Sequence, residues 1–201
     1  MTSIPWWASE GLWRKVAIWA TGLMFVVLIF LTFDSMSDII AGNGPRVPDY
    51  SVINKRISYK FDEKRNFQVP VIGEEAPLFG KKLSDEEAAA LVSHGKKVVQ
   101  GRNCMNCHTL LGNGAYFAPD LTKAWLDPGW GNEQAREALM LAFLQDPTNN
   151  ARTFGTGRRM PNLKITEEEA KAVIAFLKWM SSIDTNGFPY MFKPLPQGGK
   201  S

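Results

Sequence analysis

The stretch Cys104-Met105-Asn106-Cys107-His108 restricts this chain more than any other part of it. Two thiols with two residues between them, and an imidazole directly after the second, form the attachment motif of a c-type haem. Each thiol can add across one vinyl group of the porphyrin, and the gap lets the sulfurs reach vinyls on neighbouring pyrroles. His108 then falls beneath the iron as proximal ligand. Two other chemistries use similar spacings. A structural zinc site needs four ligands, usually with a second Cys or His pair, and the chain has two cysteines and two histidines in all. A thioredoxin-type pair needs a strand-to-helix turn within a βαβ unit, and no such pattern surrounds Cys104. The expectation is one covalently bound haem c, attached at Cys104 and Cys107. Such motifs receive their haem outside the cytoplasmic membrane of bacteria, so a periplasmic domain is expected too.

A second feature fits that location. Val16 to Phe33 runs 18 residues without a charge, enough for one transmembrane helix at about 1.5 Å of rise per residue. Trp6, Trp7 and Trp13 precede it and suit a membrane–water interface. Arg14 and Lys15 lie on the N-terminal side, Asp34 and Asp38 on the other. The positive-inside bias places the N-terminus in the cytoplasm and all that follows outside. A cleaved signal peptide would have a shorter apolar core and a small-x-small cleavage site. Thr32 to Met36 offers none, which favours an uncleaved anchor at 1–41, with its helix over about 12–36. No ionisable residue lies inside the span, so this helix alone makes no proton or ion path. The net charge of +3 and the scattered Lys and Arg argue against nucleic acid.

Gly42 to Pro48 is a breaker-rich exit from the membrane. Within the linker at 42–80, Ile57, Tyr59 and Phe61 alternate with polar residues, and Phe67, Val69 and Val71 alternate again. This predicts a β-hairpin over 56–72 with one apolar face and Pro70 on the other. A lone hairpin is marginal in water, so it is expected to lie on the haem domain or on a partner.

The domain at 81–190 reads as helical. Ser84 and Glu87 form a capping box, and Ala88, Leu91, Val92, Gly95, Val98 and Val99 follow a helical stripe. Gly95 costs about 1 kcal/mol against alanine in mid-helix, which suggests a second helix crossing there. Asn132 caps a middle helix from Glu133 to Leu144 that Asp146-Pro147 closes. Thr166 and Glu169 form another capping box, followed by a stripe of Ala170, Val173, Ile174, Leu177 and Met180. His94 reads as an exposed side chain rather than a ligand. An extended tail is expected over 191–201.

Two loops complete the site. Thr109 to Leu121 holds Tyr116 and Phe117, which are expected to wall the pocket, since a dry apolar setting controls the iron's potential. Thr153 to Leu163 is glycine-rich and carries Met160, fixed by Pro161. A loop can bring a thioether to the face of the porphyrin away from His108, and His/Met ligation suits an electron carrier. Met105, Met140, Met180 and Met191 sit within the motif, on helices or beyond them, where methionine is ordinary filler. Arg158 and Arg159 are candidates for pairing with the haem propionates. The layout suits an electron-transfer subunit, a free-standing membrane-anchored cytochrome c or, with an open distal position, a haem-based gas sensor. Met160 argues against the last.

Together the anchor, the Cys104–His108 motif, Leu110-Leu111-Gly112-Asn113-Gly114-Ala115-Tyr116-Phe117-Ala118-Pro119, Gly157-Arg158-Arg159-Met160-Pro161, Phe176-Leu177-Lys178-Trp179 and Ser182-Ile183-Asp184-Thr185-Asn186 resemble the small cytochrome c subunits of bacterial nitric oxide reductases. The segment at about 45–80 exceeds the usual pattern of that family. The resemblance implies an all-α class I cytochrome c domain on a single N-terminal helix in the bacterial inner membrane. It also implies a large polytopic catalytic partner with b-type haems and non-haem iron, where NO is reduced to N2O. The electron donor would be a small periplasmic cytochrome c or a cupredoxin. The monohaem subunit of a cbb-type oxidase shares the layout, and Tyr116 to Pro119 favours the nitric oxide reductase.

Overall fold

A computed structural model describes residues 5–150 and 157–190. The tail expected over 191–201, with Met191, and the opening of the glycine-rich loop at 153–156 lie outside the described residues. Helix α1 runs from Glu10 to Ile39, and none of its 30 residues is buried. At 1.5 Å per residue it is about 45 Å long, more than the roughly 30 Å of a hydrocarbon core. It overruns the expected span at both ends, since Glu10 and the Asp34–Asp38 turn extend the helix beyond its apolar stretch. The Trp13 indole donates to the Trp7 carbonyl (2.6 Å) and fixes the aromatic entrance.

The hydrophobic core forms where helix α2 (Asp85–Gly101) crosses helix α5 (Glu167–Ser181). Both start on the expected capping boxes, with Ser84 paired to Glu87 and Thr166 to Glu169. Each box satisfies two helix-end donors reciprocally and fixes where the helix begins. The crossing falls at Gly95, as the sequence suggests. A Cβ there would strike the Ala172 carbonyl oxygen and lie 2.8 Å from the Phe176 Cβ. Helix α3 (Glu133–Gln145) takes Asn132 as its cap and packs on α5, with Met140 and Leu144 buried. Asp146 ends it, and Pro147 opens a further short helix, α4 (Pro147–Asn150).

Helix α5 is buried on more sides than its stripe predicts, with Ala172, Ala175 and Lys178 covered as well as Val173, Ile174 and Leu177. Helix α2 covers Ala172 at Gly95, and the linker covers the C-terminal end of α5. Strands β1 (Lys55–Asp62) and β2 (Phe67–Glu75) form the expected antiparallel hairpin, and it lies on the helical core. The Lys178 ammonium donates to the Ala76 carbonyl (2.9 Å), the Trp179 indole to that of Pro48 (3.0 Å), and the Tyr59 hydroxyl to that of Ser181 (2.7 Å). Lys123 donates to the Ile183 carbonyl (2.8 Å) with its ammonium 4.8 Å from the Tyr59 ring centre. Burial pushes this lysine down to about 7, against the pull of Asp184 and Asp120.

The single apolar face expected of the hairpin is not what forms. Asp62 pairs with Phe67, so Tyr59 lies opposite Pro70 and Ile57 opposite Ile72. Residues directly opposite in an antiparallel pair share a face. Tyr59 and Ile57 therefore share theirs with Pro70, while Phe67, Val69 and Val71 project from the other. The turn sets this register. Asp62 accepts from the backbone N–H groups of Lys64 and Arg65, and Asn66 closes the turn at φ 57°. Both faces find use. Ile57 and Tyr59 join the core, and Phe67 lies against Gly187 beneath the Arg65 guanidinium, which also bonds Asp184 and Asn186. Replacing Tyr59 by Phe removes one buried donor and is expected to cost about 1–2 kcal/mol, read as a lower urea midpoint.

Candidate functional site

The attachment motif follows directly from the end of α2. Arg102 closes that helix, and its guanidinium bonds both Glu169 carboxylate oxygens (2.8 Å each), tying the end of α2 to the start of α5. Asn103, left-handed at φ 53°, turns the chain into a tight turn over Cys104–Asn106. The N–H groups of Cys107 (3.2 Å) and His108 (3.0 Å) both donate to the Cys104 carbonyl. Short strands β3 (Thr109–Leu110) and β4 (Asn113–Gly114) then fold the following loop back over this turn. Ala115 N–H donates to the Met105 carbonyl (3.0 Å) and Ala118 N–H to that of Cys107 (2.8 Å). Gly114, at φ 117°, lies so close that a Cβ would strike the His108 carbonyl oxygen.

His108 is oriented by one bond. Its Nδ1 lies 2.7 Å from the Pro119 carbonyl oxygen. A carbonyl only accepts, so Nδ1 carries the proton and Nε2 keeps its lone pair for a metal. Such an outer bond is what a metal-bound histidine normally has, and it raises the basicity of the ring. Cys104 and Cys107 are free, half-buried thiols. Burial pushes the Cys104 thiol up from its usual range, opposed by a backbone hydrogen bond.

Met160 is half-buried and packs against the hydrophobic core, whereas Met140 and Met180 are fully inside it. The segment carrying Met160 is tied to the loop after the motif. The Arg158 guanidinium donates to the Phe117 carbonyl (2.7 Å) and lies 4.7 Å from the centre of its ring. Arg158 thus serves as a strap between the two loops, beyond the propionate role expected for it, and Arg159 is exposed. Tyr116 and Phe117 are 79% and 53% exposed, and the Tyr116 hydroxyl reaches the Gly112 carbonyl at 3.4 Å. His94 is half-buried rather than exposed, in a depression of about 310 Å³ shared with Lys97, Arg102 and Glu169.

These residues fit a haem. Two free thiols and a histidine with an available Nε2 share one turn, and a half-buried thioether sits on a loop strapped to the adjoining segment. A zinc site does not fit, since no cluster of three or more His, Cys, Asp or Glu suited to a metal occurs among the described residues. Sequence reasoning missed the Pro119 carbonyl and its neighbour Asp120. Only the loop character of that stretch was readable, because a backbone acceptor leaves no side-chain signature.

Comparison with known proteins gives the family of the chain. Residues 92–181 match the cytochrome c family. The chain is 36% identical to the C subunit of nitric oxide reductase from Stutzerimonas stutzeri, over 55% of this chain and 73% of that protein. It is 36% identical to the corresponding protein of Halomonas halodenitrificans, over 60% of this chain and 77% of the relative. For that of Paracoccus denitrificans the identity is 34%, over 54% and 71%. A cytochrome c domain behind a long apolar helix, with this similarity across most of each relative, makes the chain a member of the family of nitric oxide reductase C subunits.

Proposed function

We propose that this chain accepts electrons from a periplasmic donor, a small cytochrome c or a cupredoxin. It passes them through one covalently bound haem c to a polytopic catalytic subunit, with b-type haems and non-haem iron, that reduces NO to N2O. The observation carrying this reading is His108, whose Nδ1 is committed to the Pro119 carbonyl so that Nε2 is free to bind iron. Haem c supplies a one-electron iron couple when bound here. The chain's own residues do the rest. Cys104 and Cys107 would fasten the macrocycle, and His108 and Met160 would ligate the iron, a pair that need not change on reduction. Tyr116 and Phe117, exposed in the chain by itself, would shield one edge from water, and Arg158 and Arg159 would be cationic partners for propionates.

In this reading residues 1–41 are the anchor, 42–80 the linker with its hairpin, and 81–190 the haem domain. Arg14 and Lys15 keep the N-terminus cytoplasmic, and the haem domain is periplasmic. The similarity to nitric oxide reductase subunits supports that assembly over the cbb-type oxidase, which the layout alone leaves open. Purification from detergent tests it: the chain should bring with it a larger subunit that holds b-type haem and non-haem iron. A chain that purifies alone, with full haem content, would instead be a free-standing carrier. At the site itself, Cys104→Ala or Cys107→Ala should each leave a single thioether. The alkaline pyridine spectrum should shift to the red, and the double variant should hold no haem through acid–acetone extraction.

A further inference from the structure

We propose that Asp120 is a positioning residue for His108, locking the Pro119 carbonyl against Nδ1 and so setting how strongly the imidazole donates to iron. The proposal rests on the haem reading above. Asp120 follows Pro119 directly, and Thr109 follows His108. The Thr109 hydroxyl donates to Asp120 Oδ2 (2.6 Å), and Asp120 Oδ1 accepts the backbone N–H of Thr122 (2.8 Å). The Thr122 hydroxyl in turn accepts the Leu111 N–H (2.8 Å), and the Leu121 N–H donates to the Thr109 carbonyl (2.8 Å). Two bridges therefore join the same two places in the chain, one from imidazole to carbonyl and one from hydroxyl to carboxylate. Because they share flanking residues, the second constrains the length and direction of the first.

Several facts give the carboxylate the leading part in this clamp. A carboxylate only accepts, so Thr109 must donate to it, and bonds to a charged acceptor are roughly twice as strong as neutral ones. Thr109 and Thr122 are both buried, so neither the Thr109 hydroxyl nor the Thr122 backbone N–H has water to turn to when Asp120 is removed. An unpaired buried donor destabilises its surroundings, and the local structure then shifts to satisfy it. The shift would fall on the residues beside His108 and Pro119. A firm Nδ1–H bond makes the ring more basic and favours the oxidised metal. Loosening that bond should make reduction easier.

The test uses the full-length chain in detergent, carrying Asp120→Ala, Asp120→Asn or Thr109→Val. Each is read by redox titration and by the EPR g values of the oxidised protein. Asp120→Ala should favour reduction on the order of tenfold, which is about 59 mV for one electron, with moved g values. Thr109→Val should shift both in the same direction. Asp120→Asn, whose amide oxygen still accepts the Thr122 N–H, should fall between Asp120→Ala and wild type. Wild-type potential and g values in both Asp120→Ala and Thr109→Val would overturn the proposal, however far the melting temperatures fall, since a purely structural role moves stability alone. If Asp120→Ala takes up no haem, Thr109→Val decides by the same readouts. Wild-type chain without covalent haem would overturn the haem reading first and this proposal with it.

Discussion

Replacing Met160 by alanine is expected to abolish the weak sulfur-to-iron charge-transfer band at the red edge of the visible spectrum. The midpoint potential should fall by on the order of 100 mV or more, since axial ligands tune haem over about 0.8 V. A thioether is a soft donor that stabilises ferrous iron, and water or an opportunistic nitrogen ligand in its place does not. Stability should change much less. Met160 is only half-buried, and Leu163 and Ile165 follow it into the core and keep the segment attached. The Arg158 strap to Phe117 also survives the substitution. The measurement is an oxidised-state spectrum with a redox titration, set beside Met140→Ala as a comparison. Met140 lies fully inside the core on α3, so its loss should lower stability by about 2–5 kcal/mol and leave the charge-transfer band in place. If the band survives in Met160→Ala, another side chain holds the distal position.

What could be read from the sequence was what local chemistry writes into it. Ser84 with Glu87 and Thr166 with Glu169 mark helix starts because a capping box needs only residues three apart. Gly95 marked the helix crossing because a glycine within an apolar stripe needs a reason, and the Ala172 carbonyl supplies it. The hairpin was readable as two alternating runs, but the faces were not. They depend on the pairing register, which the turn at Asp62–Asn66 sets, and a shift of one residue moves every side chain to the other face. Long-range burial of polar groups was least readable. Lys123 and Lys178 look like surface residues in a linear pattern, and nothing marks a partner for the Tyr59 hydroxyl, yet each donates to a backbone carbonyl distant in sequence. The same holds at the site. Cys104, Cys107 and His108 are marked by their spacing, while the acceptor that orients His108 is a backbone oxygen, and the Thr109–Asp120 bond depends on how the loop folds.

Gly114→Ala should be far more damaging than Gly112→Ala, although both glycines lie in the same loop at positive φ (117° and 80°). Among the described residues, a methyl group at 112 meets the Phe188 ring alone, 3.8 Å away. Its cost is the left-handed backbone itself, about 1–2 kcal/mol. At 114 a methyl would strike the His108 carbonyl oxygen and lie 3.0 Å from that of Met105. Both obstacles are backbone of the attachment motif, which no rotamer change can clear. The alanine must therefore push β4 away from β3, breaking the bond from Ala115 N–H to Met105 and loosening the path to the Pro119 carbonyl. With collision, strain and a lost hydrogen bond together, the cost should be about 3 kcal/mol or more. That is a large part of the roughly 5–15 kcal/mol typical of a whole domain. The signature is a steep loss of covalently held haem in Gly114→Ala and near-normal haem content in Gly112→Ala, measured on chains expressed together with the haem-attachment machinery. Equal losses in both would mean that backbone preference alone governs the loop, and that the close packing of β4 on the motif contributes nothing to holding it.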